Sequence, residues 1–442
     1  MGKKQRKRTV REDRLHITGR NYQKPYRPLL IRMVNLFGRI AALFGLQRKI
    51  SAEKLMKVAV RSVRNDTAGG LSDFGPDFNI GPLQVLCRSV EEEAYLHPFG
   101  RFVTRTRLRG VLANRLRAQY WFSHYPEIEE QQLLPLTVIT GLQRTGTTML
   151  HRLLAADPDT RALLSWEAIN PAPIPGLPRK EERDRRVRSA VTSQNALSYI
   201  APDFFTVHPV EAMAPEEDCL LLDASFLSTV PEATLRVPSY SRWLETQDQR
   251  PSYEYMRKLL LLLQWQQPAK RWLLKTPHHM EYLDVLFDVF PEAKIIQTHR
   301  DPAVTLASFC SMISHGRGVF SNSVDPHEVG RDWSRKIRRM TEQTIRVRDT
   351  MPADRFYDVY YEDLTADPLG EVKKIYRYLD IPWTDEVEAV MKQTNQTNYQ
   401  YKYGRHVYTL EDFGLSEESV QREFAAYYDR FINAVDTKCC RA

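Results

Sequence analysis

The chain has 442 residues, 42% of them hydrophobic and 10% aromatic, enough apolar material for a full globular core, which excludes disorder over most of its length. Its net charge of +8 is unevenly placed: residues 1–50 hold 14 basic and 2 acidic side chains, leaving 49 basic against 53 acidic in the rest. A mildly acidic body behind a basic arm excludes a nucleic-acid reader along the whole chain, so any attraction to polyanions or anionic membranes belongs to the arm.

The arm opens with Lys3, Lys4, Arg6, Lys7 and Arg8. Between Pro28 and Gln47, Leu29, Met33, Leu36, Phe37, Ile40, Leu43 and Phe44 recur at three-to-four spacing, while Arg32, Asn35 and Arg39 fall on the other side. That pattern predicts a basic amphipathic helix. Each arginine at a bilayer centre costs about 2.5–3.5 kcal/mol, so the stretch does not predict a spanning helix. Its late start, with no small-residue cleavage site after it, argues against a signal peptide. Two roles stay open: lying on an anionic membrane surface, or docking on the body with a solvated tail ahead of it. Arg6 argues against myristoylation of Gly2, and Arg441 against prenylation of Cys439.

From about Ser51 to Glu130 the pattern is helical, with loops at Gly69-Gly70 and Gly75-Pro76, and it reads as an extension (51–130) between the arm (1–50) and an α/β domain (131–442). Apolar strand-like runs follow at Leu136–Thr140, Trp272–Leu274, Ala293–Gln297 and Phe356–Tyr360, spaced by helices. They predict a phosphate-loop-like parallel sheet covered on both faces, whose ligands lie beyond the strand C-terminal ends. The five cysteines, Cys87, Cys219, Cys310, Cys439 and Cys440, are odd in number and lack CxxC spacing; they predict neither a disulfide framework nor a zinc site and suit a reducing, cytoplasmic compartment.

Chemistry concentrates at the strand ends. Gly141-Leu142-Gln143-Arg144-Thr145-Gly146-Thr147-Thr148 lies between the first strand and a helix, a turn that gathers backbone N–H groups and a helix dipole around one anion. Thr147 stands where a nucleotide-triphosphate loop requires Lys, which weakens a kinase reading. Lys275-Thr276-Pro277-His278-His279 closes the second strand, and His299-Arg300-Asp301-Pro302 the third. Asp301 is a natural N-cap and Pro302 a natural first helical residue. Arg300 is suited to hold a second phosphate in two-pronged fashion, with Ser308 as a further donor.

These segments, together with Val359-Tyr360-Tyr361-Glu362-Asp363-Leu364, resemble the sulfotransferases that use 3'-phosphoadenosine 5'-phosphosulfate. Trp166-Glu167 and Leu410-Glu411-Asp412-Phe413-Gly414-Leu415 narrow the likeness to a bacterial-type branch, over roughly Leu71 to Phe431. Gln143 departs from the usual Pro, and Arg144 replaces the Lys of the soluble small-molecule branch. The resemblance implies that Arg144, Thr145, Gly146, Thr147 and Thr148 hold the 5'-phosphosulfate, that Arg300 and Ser308 hold the 3'-phosphate, and that Tyr361 faces the nucleotide. A looser match at Tyr403-Gly404-Arg405-His406 implies Arg405 at the 3'-phosphate.

Sulfuryl transfer needs in-line alignment, neutralisation of the sulfonate and a base for the acceptor; it needs no metal. Lys275, at the strand end, is placed to protonate or stabilise the leaving bridging oxygen. The resemblance implies a glutamate some twenty residues past the loop, which makes Glu167 the first candidate base, unless it only partners a nearby arginine; His279 is the second, with His278 and His208 also on offer. His208 and Glu217 are expected at the acceptor pocket by resemblance, walled by Asn170–Arg257, and the acceptor is expected to be a small or lipidic hydroxyl or amine compound. Trp166 and the Leu259–Leu263 run read as core, and Arg335–Arg348 as a solvated helix face. A P-loop kinase and a non-catalytic membrane or polyanion binder are the competing readings.

Overall fold

A computed structural model describes residues 17–47, 49–397 and 405–433. The leading basic residues and Cys439-Cys440 lie outside the described residues, as does Tyr403-Gly404. Five strands form a parallel sheet: β1 (Leu136–Gly141), β2 (Thr160–Ala162), β3 (Arg271–Lys275), β4 (Lys294–His299) and β5 (Phe356–Tyr360). Their order is β2-β3-β1-β4-β5. Four coincide with the predicted runs to within about two residues; β2, three residues at the sheet edge, has no sequence signal of its own.

Alternation along each strand sends neighbouring side chains to opposite faces. On one face Val138, Trp272, Leu274 and Ile295 pack against the helix Arg250–Gln266, where Leu259 to Leu263 are all buried. On the other, Ile139, Leu273, Ile296 and Val359 pack against Leu150, Leu153 and Leu154 of the helix Thr147–Leu154 and against Val372 and Ile375. All six residues of β1 are buried, as a central parallel strand requires. The register sets Ile139 beside both Lys275 and Ile296, and Gly141 beside Thr298, which levels the three functional strand ends.

Helices Ala52–Ser62, Gly81–Glu93 and Pro98–His124 share one apolar cluster with Phe226, Leu235, Val237 and Tyr240. The stretch Arg335–Arg348, expected as a solvated face, is only partly so: Arg338 and Arg346 are exposed, but Lys336 is buried among Glu232 (3.2 Å), Glu281 (2.9 Å) and Glu245 (3.5 Å). Three carboxylates outweigh burial and hold Lys336 above its ordinary pKa.

The amphipathic helix forms at Leu29–Leu43, with its faces reversed from the usual arrangement. Ile31 and Asn35 point inward; Asn35 Oδ1 accepts from the Phe99 amide at 2.9 Å, and Gly38 lies against Pro98, where a β-carbon would come within 2.4 Å of the ring. The apolar arc faces solvent. Ahead of the helix, Ile17–Thr18 pairs in parallel with Arg405–His406, joining the arm to a late segment of the chain. Among the described residues no helix is long and apolar enough to cross a membrane.

Gly141 (φ 148°) sits so close to β4 that an added β-carbon would meet Thr298 Oγ1 at 2.2 Å and the Thr298 carbonyl at 2.5 Å. Gly141→Ala is therefore expected to cost about 2 kcal/mol or more through overpacking and backbone strain, read as a lower denaturant midpoint at unchanged m-value. An unshifted midpoint would mean the β1–β4 approach is looser than this.

Candidate active site

After β1 the chain turns through Leu142–Gly146 into the helix Thr147–Leu154, with Arg144 (φ 72°) and Gly146 (φ 86°) in the left-handed region. At Gly146 a β-carbon would come within 3.1 Å of Leu364 and 3.3 Å of Tyr361, so glycine lets Tyr361 close over the loop. Arg144 Nε donates to Ser308 Oγ at 3.1 Å. Arg300 Nη1 donates to the Arg144 carbonyl at 3.0 Å, and its guanidinium lies 3.7 Å from the Tyr361 ring centroid. Arg144, Gly146, Arg300, Ser308 and Tyr361 thus form one cationic cluster at the ends of β1 and β4, beside a helix N-terminus that favours anions. Asp301 caps the following helix by accepting from the Ala303 amide at 2.8 Å, which fixes where Arg300 leaves β4.

Thr145 plays a different part. Its buried hydroxyl donates to the Leu142 carbonyl at 2.6 Å and meets Thr298 Oγ1 at 2.5 Å, pinning the loop to β4, so only its backbone amide is left for a ligand. Thr147 is buried and Thr148 exposed in the first helical turn. The backbone of Arg405 pairs with Ile17, while its side chain lies outside the described residues. His406, next to it, bonds Ser311 Oγ at 2.6 Å; burial, with His315 and Arg144 nearby, pushes its pKa down to about 3.

The end of β3 supplies a second group. Lys275 is buried and donates to Glu217 Oε1 at 2.7 Å; Thr276 donates to the other oxygen at 3.4 Å. Burial opposes the lysine charge, but Glu217 and Glu216 outweigh it and hold Lys275 above its ordinary pKa. The field at His208 comes from the same groups: burial lowers its pKa, Glu216 and Glu217 oppose the shift, and Lys275 and Arg144 add to it. Lys275 and Glu217 therefore stand together at the end of β3, and both act electrostatically on His208. Glu216 is a member that the sequence pattern did not single out.

Glu167 and His279 are engaged elsewhere. Glu167 Oε1 accepts from Arg161 at 2.9 Å and Oε2 from the Leu164 amide at 3.2 Å, so the carboxylate caps the helix Ser165–Ile169 and neutralises a buried arginine. Trp166 is core, with Arg186 4.8 Å from its ring. His279 is fully buried, with Nδ1 at 2.8 Å from the Tyr253 hydroxyl and Nε2 at 2.7 Å from Asp218. It braces the chain beside Glu217 rather than facing Lys275. His278, also buried, meets Thr229 Oγ1 at 3.2 Å.

A parallel α/β sheet with a glycine loop, paired arginines and a buried lysine at its strand ends defines an enzyme that handles an anionic group donor. Residues 135–385 match the sulfotransferase family, and the chain belongs to it: it is an enzyme that moves a sulfuryl group to the hydroxyl of an acceptor. It is 27% identical over 312 residues to the omega-hydroxy-beta-dihydromenaquinone-9 sulfotransferase of Mycobacterium bovis, spanning 67% of this chain and 76% of that protein. Among solved structures it is similar to sulfotransferase STF1 of Mycobacterium tuberculosis, with a TM-score of 0.75 at 35% identity over 86% of this chain and 100% of that one. Sulfotransferase STF9 of Mycobacterium avium gives a TM-score of 0.77 at 28% identity, covering 86% and 97%.

Glu167→Gln leaves the Arg161 charge buried without its counter-ion. The expected outcome is a loss of about 3 kcal/mol of stability, seen as a lower thermal midpoint, with turnover of the folded enzyme retained. A drop in turnover of about two decades at unchanged stability would restore Glu167 as the base.

Proposed function

We propose that the sulfuryl donor is 3'-phosphoadenosine 5'-phosphosulfate and that the acceptor is a small or lipidic compound bearing a hydroxyl group. The observation that carries this reading is the Arg144–Ser308–Arg300–Tyr361 cluster, which offers two guanidinium groups, a hydroxyl and an aromatic face around one strand-end space. That donor set suits a ligand with two separated anionic groups and a base to stack. The loop amides from Arg144 to Thr148 would hold the 5'-phosphosulfate, and Arg300 with Ser308 the 3'-phosphate; bound there, the donor supplies an activated sulfonate. Arg144 and the amides neutralise the sulfonate oxygens without a metal ion.

Lys275 presents an ammonium group to the oxygen that gains charge as the sulfuryl group departs. Glu217 orients that ammonium, and His208, kept neutral by its lowered pKa, accepts the proton of the acceptor hydroxyl. Only the neutral imidazole can take the proton, so turnover should stay level above the ordinary histidine value of 6.5 and fall only at lower pH. The acceptor chemistry finds support in the relative that acts, by its name, on a menaquinone derivative. A cytoplasmic setting is supported by Cys87, Cys219 and Cys310, which are buried and unpaired.

Calorimetric titration with adenosine 3',5'-bisphosphate, alongside ATP with Mg²⁺, tests the donor. Arg300→Ala should weaken bisphosphate binding by about ten- to a hundredfold, the effect of losing a charge-assisted contact. Binding of ATP with Mg²⁺ alone would sink the donor assignment. Lys275→Met should lower kcat by about two to three decades and weaken bisphosphate binding as well, because the oxygen that Lys275 faces stays on the 5'-phosphate of the product. His208→Asn should remove the acid limb of the pH profile together with most turnover; if Glu217→Gln does this and His208→Asn does not, the base is Glu217.

A further inference from the structure

The helix Leu29–Leu43 is held with Ile31, Asn35 and Gly38 against the body, so its orientation is fixed. Its outward arc is apolar: Leu29 is 73% exposed, Phe37 62% and Leu43 85%, with Met33, Leu36 and Ile40 between them and Phe44 just beyond. A soluble surface rarely carries a contiguous apolar face of this kind without a partner. The neighbouring Phe102, 63% exposed, extends it.

We propose that this face docks on an anionic lipid bilayer, with the helix lying in the plane of the interface. Charge decides the occupant. Arg32 and Arg39 lie together on one edge of the apolar arc, where their long side chains reach headgroup level. Between this helix and the helices Ala52–Ser62 and Pro98–His124 runs a groove of about 370 Å³ whose lining includes Lys49, Lys54, Arg105 and Arg109 and no acidic side chain. A second copy of the chain would bring the same positive charge to the same edge, whereas anionic headgroups neutralise it. The sequence ahead adds Lys3, Lys4, Arg6, Lys7 and Arg8. A narrow cleft lined by Ile31, Phe99, Ile200 and Phe204 joins the base of the helix to the segment that runs on to His208.

Flotation of the full chain with vesicles of phosphatidylcholine and phosphatidylglycerol tests this, compared with vesicles of phosphatidylcholine alone and with light scattering of the protein in solution. The wild type should float with the anionic vesicles. Phe37→Glu with Ile40→Glu should lower partitioning by about a hundredfold, the loss of two buried apolar side chains, with the thermal midpoint and turnover on a soluble acceptor unchanged. Lys54→Glu with Arg105→Glu and Arg109→Glu should weaken binding most at low salt. A wild type that stays unbound would overturn the proposal. So would a dimer in solution that Phe37→Glu with Ile40→Glu splits, since the face would then belong to a second copy.

Discussion

Positive charge gathered at one edge of a sheet repels itself, and the protein has to hold that charge ready for an anionic ligand. Arg144, Arg300 and Lys275 converge on neighbouring strand ends, and each is given a different restraint. Arg144 is tethered by Ser308, Arg300 is spread over the Tyr361 ring, and Lys275 is paired with Glu217. The first two restraints are neutral, which leaves the full guanidinium charge for a ligand; the third is ionic, which keeps a buried ammonium protonated. The division leaves two open cations beside one ion-paired cation at the same sheet edge.

Behind the arginines is a supporting layer. His299, the residue before Arg300, bonds Asp358 at 2.8 Å and the Tyr427 hydroxyl at 2.9 Å, and stacks on Phe431. Asp358 is gripped in turn by Arg348; His299 and Arg348 outweigh its burial and hold the carboxyl below its ordinary range. The end of β4 is thereby fixed from below, which adds to the hold that the Arg144 carbonyl and the Tyr361 ring have on the guanidinium of Arg300.

How much of this can be read in a sequence depends on the distance over which each signal acts. The four long strands and the glycine loop are local patterns of apolar runs and turn residues, and they emerge where expected. The Arg144–Arg300–Ser308–Tyr361 cluster follows from them, since parallel strands deliver their C-terminal ends to one edge. The short strand Thr160–Ala162 carries too few residues to show a period. Glu167 has the right spacing from the loop, but spacing says nothing of Arg161, whose buried charge claims the carboxylate. Glu217 lies 58 positions from Lys275 in a stretch without periodicity, and only tertiary packing unites them. Periodicity finds the helix Leu29–Leu43 but not its orientation, because one hydrogen bond from the Phe99 amide to Asn35 and one glycine contact decide which face docks.

The parallel pairing of Ile17–Thr18 with Arg405–His406 is reinforced by the ion pair of Arg20 with Asp412, 392 positions away. On the ribosome, the early half of this clasp emerges long before its partner exists. The sheet, the loop and Lys275 can all assemble while the arm still waits, and closing so large a span is among the last steps of folding. His406 and Ser311, three residues past Ser308 on the same helix, are joined by that closure. Completion of the surroundings of Ser308 is thus tied to the arrival of the late segment, and a nascent chain halted before it would carry the sheet and the glycine loop without this clasp.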